Sequence, residues 1–220
     1  MPATPETAPN RTTRRKARTR AALVRAAQGF IAEGRPHAPI LEITQAADVG
    51  MGSFYNHFES REELMRVASE KAFEAHGRLL DELTLGIDDP AEVFAQNFRL
   101  TGRIHRREPE LSRVLLDYGL QLIDIEIGLA PRALRAIKAG ADAGRFTVAD
   151  PELSLTIVAG ATLVLGNLLH EHPERDDAEA TDQVAEDLLR MLGMAPEEAR
   201  ELAHRPLPEL TTVAWQEADL

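Results

Sequence analysis

The chain has no cysteine among its 220 residues. That excludes a disulfide framework and any thiolate metal site. It has no unbroken apolar run of the roughly 18 residues that a bilayer-spanning helix needs. The arginine-rich start is followed by a stretch broken at Arg25 and Gln28, which is not the pattern of a secretory leader. The expected location is the cytoplasm, with no membrane partner. Alternating strand patterns are missing, and no internal repeat is visible. There is no Gly-x-Ser-x-Gly elbow, phosphate loop or dinucleotide fingerprint, and Gly50-Met51-Gly52 is too short to cradle a phosphate. No acid–base or nucleophile pair stands out, so the reading is not of an enzyme, and no cofactor is called for. His170-Glu171-His172 lacks the spacing of two histidines four apart that puts metal ligands on one helix face, so no metal site is expected.

Basic charge is scarce overall but not evenly so. The whole chain carries −11. Residues 1–61 hold nine Lys and Arg against five Asp and Glu, a balance of +4, which leaves −15 for the remainder. A basic arm on an acidic body signals divided labour. The basic part suits phosphate, and the acidic part suits solvent or a partner.

The periodicity throughout is that of helices, so the fold class is all-α. A first helix is expected over 13–34, with Leu23, Val24, Ala27, Phe30 and Ile31 on one face. Short helices follow over 39–47 and 51–57. Ser60 and Glu63 form a capping box for a long helix reaching about residue 85. Asp89-Pro90, Glu108-Pro109 and Asp150-Pro151 each open a further helix with Pro at its first position. Helices over 131–144, 181–192 and 196–204 complete the set. The expected organisation is an arm over 1–12, a helix-turn-helix domain over 13–60, a ligand-binding and dimerisation domain over 61–205, and a loose acidic tail over 206–220.

The segment from Ile43 to Phe58 carries the function. Two short helices joined by about four residues make a helix-turn-helix. Asp48 stands where the turn calls for a left-handed residue, which Asp tolerates better than most. Phe54 and Phe58, four apart, turn inward. Met51, Ser53, Tyr55 and Asn56 are left to face outward, and the start of such a helix enters the major groove; Gly50 and Gly52 are counted with the DNA-facing set.

The order Ala-Ala-Asp-Val-Gly-Met-Gly-Ser-Phe-Tyr-Asn-His-Phe-Glu-Ser-Arg-Glu-Glu-Leu resembles the signature of the TetR family of one-component regulators. The resemblance spans about residues 13–65. It implies a homodimer on a double-stranded DNA operator with two half-sites, and a helical domain that binds a small-molecule effector. The function it implies is a ligand-responsive regulator, a repressor released from its operator by a small, mostly apolar molecule. It places Ser53 and Tyr55 at bases or nearby phosphate, and Tyr55, His57 and Arg61 at phosphate. Thr44 is counted with the DNA-facing set, as are Arg14, Arg15 and Arg18 of the basic stretch. Three positions depart from the pattern. Pro39 and Gly50 stand where a capping hydroxyl is usual, and Met51 replaces a frequent lysine.

In the body, Phe94, Phe98, Thr101 and His105 follow helical spacing with Asn97 beside them. Polar residues within an apolar stripe need partners, and a ligand can be one. Tyr118, Gln121 and Asn167 are added to this candidate effector site; the competing reading is a core network satisfied internally. Arg103, Arg106 and Arg107 read as a solvated face. A dimer interface is expected from Ile157, Ala161, Val164 and Leu168 of one helix with Val184, Leu188 and Leu192 of another, four helices meeting across a two-fold axis.

Overall fold

The computed structural model describes residues 11–122 and 127–209. The expectations for the first ten residues and for most of the acidic tail lie outside the described residues. Among those described the fold is all-α. Ten helices follow one another: α1 Arg11–Ala32, α2 Ile40–Ala46, α3 Met51–Phe54, α4 Arg61–Leu83, α5 Pro90–Arg107, α6 Pro109–Tyr118, α7 Leu129–Asp142, α8 Pro151–Glu171, α9 Asp177–Met191 and α10 Pro196–Ala203. A single 3-10 turn, Gly119–Leu122, follows α6.

The chain divides into two compact units, one ending at Ala68 and the other beginning at Ser69. The division falls inside α4, eight residues past its start. In the first unit Leu23, Val24, Ala27 and Ile31 of α1 join Ile43, Phe54, Phe58, Leu64 and Met65 in a core closed to solvent. The Ser60 half of the capping box forms at the start of α4, while Glu63 reaches past Ser60 to the amide before it. Ser60 Oγ accepts from the Glu63 amide at 3.1 Å, and the Glu63 carboxylate accepts from the Glu59 amide at 2.6 Å.

The second unit is built around α5. Asp89 Oδ1 caps it by accepting from the Ala91 amide at 3.0 Å, and Pro90 begins it. From Phe94 onward nearly every residue to His105 is buried. Phe94 and Phe98 join Ile137, Phe146, Leu155, Val158, Leu188, Leu189 and Leu192 in one core, with the Phe94 and Phe146 rings edge to face at 5.8 Å. Gly102 lets α9 lie against α5: a Cβ there would stand 2.2 Å from Thr181 Cγ2. The start of α9 lies four residues ahead of the expected 181, because Asp176 caps it by accepting from the Glu179 amide at 2.9 Å.

Of the three arginines expected on a solvated face, Arg107 is exposed, Arg106 is half-buried and Arg103 is buried. Arg99 and Arg103 are 4% and 8% exposed. Arg99 Nε donates to Asp182 Oδ1 at 2.8 Å, and Arg103 Nη2 donates to the same oxygen at 2.7 Å. The remaining donors reach the carbonyls of Arg205, Asp177 and Ala178. Arg106 reaches the carbonyl of His172. Periodicity alone does not show that a carboxylate from another helix will cover a charge.

An 18-residue window of α8 has mean hydropathy 1.6, so by length and composition the helix is long and apolar enough to cross a membrane. Its interruptions are uncharged, and most are Ser, Thr or Gly, which lower hydropathy little. In this fold α8 lines the body's interior and leaves Leu153, Ile157 and Val164 outside, 65%, 51% and 68% exposed.

Candidate DNA-reading head and effector cavity

The turn between α2 and α3 has the conformation its sequence asks for. Asp48 has φ of 53°, the one left-handed residue other than glycine among the described residues. The Val49 amide closes the turn by donating to the Thr44 carbonyl at 3.0 Å. Phe54 and Phe58 fix α3 against the head core, their rings 5.9 Å apart, and the Arg20 guanidinium covers Phe58 at 4.9 Å. With both phenylalanines inward, Met51, Gly52, Tyr55 and Asn56 are exposed and Ser53 is half-buried. Helix α3 is shorter than expected. The Asn56 and His57 amides bond three residues back, to Ser53 and Phe54, so Tyr55, Asn56 and His57 form the tightened turn that ends it.

Neither Pro39, before α2, nor Gly50, before α3, provides a side-chain cap, since neither has a hydroxyl to offer. Arg14, Arg15 and Arg18 are exposed along α1. Partial burial, then the charges of Lys16 and Arg20, hold the His57 imidazole below its ordinary pKa. Thr44 departs from expectation. It is 2% exposed, and its hydroxyl donates to the Leu41 carbonyl at 2.9 Å, so it supports α2 from within. Arg61 is half-buried, with Nη1 on the His37 carbonyl at 2.9 Å and Nε and Nη2 on Glu62; it ties α4 to the loop before α2.

The body contains a cavity of about 110 Å³. Phe73 and Leu80 of α4, Phe94 and Phe98 of α5, Leu115 of α6, Ala133 and Ala136 of α7, and Leu155, Val158 and Leu163 of α8 make its apolar wall. Four polar side chains interrupt it: Asn97, Thr101, Arg132 and Thr162. Thr162 donates to the Val158 carbonyl at 2.9 Å. Arg132 is closed off by its own partners. Nη1 and Nη2 meet the Glu74 carboxylate at 2.8 and 3.0 Å, Nε meets Asp81 at 2.8 Å, and Nη1 also meets the Gly128 carbonyl at 2.7 Å. Gly77 makes the seat, since a Cβ there would stand 2.6 Å from Arg132 Nη1. Beside this guanidinium the Glu74 carboxyl is held below its usual range. Asn97 Oδ1 differs from the others: it is shut off from solvent and accepts no hydrogen bond among the described residues.

Comparison with known proteins gives this architecture a name. Residues 89–205 match the family model described as the tetracyclin repressor-like C-terminal domain. The crystal structure of RolR in complex with its ligand resorcinol is 34% identical, covers 90% of this chain and 99% of its own, and superposes with a TM-score of 0.71. The chain belongs to the TetR family of transcriptional regulators. RolR without ligand superposes at 0.75 with 34% identity, covering 87% of this chain and 100% of its own. The TetR-family protein CprB from S. coelicolor A3(2) is 17% identical with a TM-score of 0.52, covers 86% of this chain and 99% of its own, and shares the fold. No curated protein sequence matches this one. Regulators of this family are ligand-responsive transcription factors and act as dimers.

The effector residues expected for this TetR-family regulator sort into two groups. Phe94, Asn97, Phe98 and Thr101 line the cavity. His105, Tyr118 and Asn167 are not among its lining residues, and the side chain of Gln121 lies outside the described residues. His105 is turned away by Ser112, whose hydroxyl lies 2.7 Å from His105 Nδ1 and 2.8 Å from His170 Nε2. Gly166 packs against the His105 ring, where a Cβ would be 2.3 Å from Cε1. Asn167, the next residue, is exposed. Because α8 is apolar on several faces, its pattern did not show which side turns inward. Sequence reasoning missed the α7 and α8 walls and Arg132 altogether. The interface expectation also divides. Ile157 and Val164 are exposed, while Ala161, Leu168 and Val184 are partly buried. Leu188 and Leu192 are 5% and 0% exposed inside their own chain's core, because the face of α9 that bears them turns toward α5.

Proposed function

We propose that this protein is a homodimeric repressor that binds an operator through its α2–α3 head and leaves it when a small, mostly apolar molecule fills the body's cavity. The observation that carries the reading is an outward set on a fixed scaffold. Met51, Ser53, Tyr55 and Asn56 face away from the two phenylalanines that anchor α3. In this reading they meet base edges, with Gly50 and Gly52 allowing close approach, and Tyr55, His57, Arg14, Arg15 and Arg18 hold phosphate. Backbone contacts set register and base contacts set sequence. The acidic body repels DNA and confines contact to the heads. RolR, with its bound resorcinol, supports a small aromatic or apolar effector, and the apolar wall of Phe73, Phe94 and Phe98 agrees with it. Helix α4 is the element that joins binding to release, since it places Leu64 and Met65 in the head core and Phe73 and Leu80 in the cavity wall. A ligand shifts the equilibrium only by its differential affinity for the two states. The exposed stripe Leu153, Ile157 and Val164 of α8 is the proposed dimer seam.

A gel-shift series in increasing salt tests the DNA reading. With about 6–10 phosphates neutralised per dimer, operator affinity falls about 10³–10⁵-fold between 50 and 200 mM salt. Ser53→Ala or Asn56→Ala relaxes base preference at one position per half-site by about 1–3 kcal/mol. Arg14→Ala weakens all sequences alike. If Ser53→Ala and Asn56→Ala lower affinity equally for operator and random DNA, the groove assignment is wrong.

A further inference from the structure

We infer that the cavity selects an uncharged single-ring molecule bearing a hydrogen-bond donor, a phenol or arylamine, and that Asn97 Oδ1 is the atom that reads the donor. This rests on the reading of the cavity as the effector site and names the chemical class it takes. Three observations carry it. The first is size. A dry cavity of about 150 Å³ lined by aliphatic and aromatic groups accepts benzene, and this one measures about 110 Å³. That leaves room for one ring and not for two. The second is charge. The one charged group in the wall among the described residues, Arg132, has four of its five N–H donors engaged by Glu74, Asp81 and the Gly128 carbonyl. An incoming carboxylate would meet the Glu74 and Asp81 carboxylates on arrival. A neutral ligand leaves the set intact.

The third observation is the orphaned acceptor. Asn97 Oδ1 is buried with no donor among the described residues, which is costly until something supplies one. The Thr162 hydroxyl is already committed to the Val158 carbonyl. A ligand hydroxyl or amine satisfies Asn97, whereas an ether or a hydrocarbon of equal size leaves it bare. Sites built to hydrogen-bond a ligand reject the analogue that lacks the group far more strongly than apolar pockets reject a change of size.

The test uses the purified full-length protein without DNA, read by calorimetry and by thermal shift. The probes are phenol, aniline, anisole, toluene and benzoate. Phenol or aniline is expected to bind at least about tenfold more tightly than anisole or toluene, and benzoate to be the weakest. Asn97→Leu is expected to abolish the preference, so that toluene binds as well as phenol or better. The wild-type series decides the matter even if that variant does not fold. Equal binding of phenol and toluene overturns the inference, and so does tightest binding by benzoate. It is equally overturned if no probe binds at millimolar concentration, or if a folded Asn97→Leu protein still prefers phenol. Because DNA is absent, a protein that binds phenol selectively yet stays on its operator refutes the regulatory reading and leaves this one standing.

Discussion

Asp182 is the position where one substitution should cost the body most. Its carboxylate, 14% exposed, faces Arg99 and Arg103, whose side chains are 5% and 10% exposed. Two buried guanidinium groups thus share a single carboxylate, and carbonyls from Asp177, Ala178 and Arg205 take the remaining donors. Asp182→Ala leaves both cations buried with no counter-charge. Breaking a buried pair by removing one partner costs about 3–5 kcal/mol, and here α9 also loses its tie to α5. For a unit of this size each kcal/mol lowers Tm by about 2–4 °C, so the variant should melt about 6–20 °C below the parent. Chemical denaturation followed by circular dichroism gives the free energy, and calorimetry gives Tm. Glu33→Ala serves as a reference: its ion pair with Arg35 is 62% exposed on the Glu33 side, and exposed pairs contribute about 0–1 kcal/mol. A loss below about 1 kcal/mol for Asp182→Ala would refute the argument, because the two arginines would then have found water or other partners at little cost.

Three other outcomes follow from the same packing. His76 and His105 are both pushed down to about 4, chiefly by burial, with Arg132 adding to the first and His170 to the second. The unfolded chain therefore takes up protons first, and stability is full above about pH 6.5 and lost as pH falls toward 4, by about 2 kcal/mol or more per histidine at pH 4.5; denaturation curves at pH 7 and 4.5 check this, and His105→Gln should flatten the slope. Gly102→Ala drives a methyl against Thr181 and should cost about 1–3 kcal/mol, whereas Gly29→Ala, with nothing within 4 Å, should gain about 0.5–1 kcal/mol of helix stability. Ile157→Glu with Val164→Glu should convert a dimer to a monomer in sedimentation without lowering helical content; an unchanged dimer removes α8 from the seam.

What was legible in the sequence is what local chemistry fixes. Asp-Pro pairs at 89–90 and 150–151 placed the starts of α5 and α8 to the residue, because a capping carboxylate and a pre-set φ act within one turn. Asp48 and the Phe54–Phe58 spacing fixed the turn and the inward face of the head in the same way. The errors came from long-range partners. Thr44 was counted as DNA-facing, yet its hydroxyl is satisfied one turn back within α2. Arg103 was taken as solvated because its carboxylate lies 79 positions away. Half of the expected effector residues line the cavity, all from α5, where polar residues interrupt a one-sided stripe. The α7 and α8 walls were missed because small and aliphatic residues there read equally well as core, seam or pocket.

Helix α8 has no idle side, and that limits how such a protein can change. Leu155, Val158 and Leu163 bound the cavity, Leu165 and Leu169 are buried in the body, and Leu153, Ile157 and Val164 look outward. A substitution that reshapes the cavity from α8 sits within one turn of a residue with a different duty. On the proposed reading of the cavity as the effector site, new ligand preferences arise more cheaply from the 127–133 stretch and from α5 at Asn97 and Thr101. The route by which this regulator acquires a new signal runs around its longest apolar helix rather than through it.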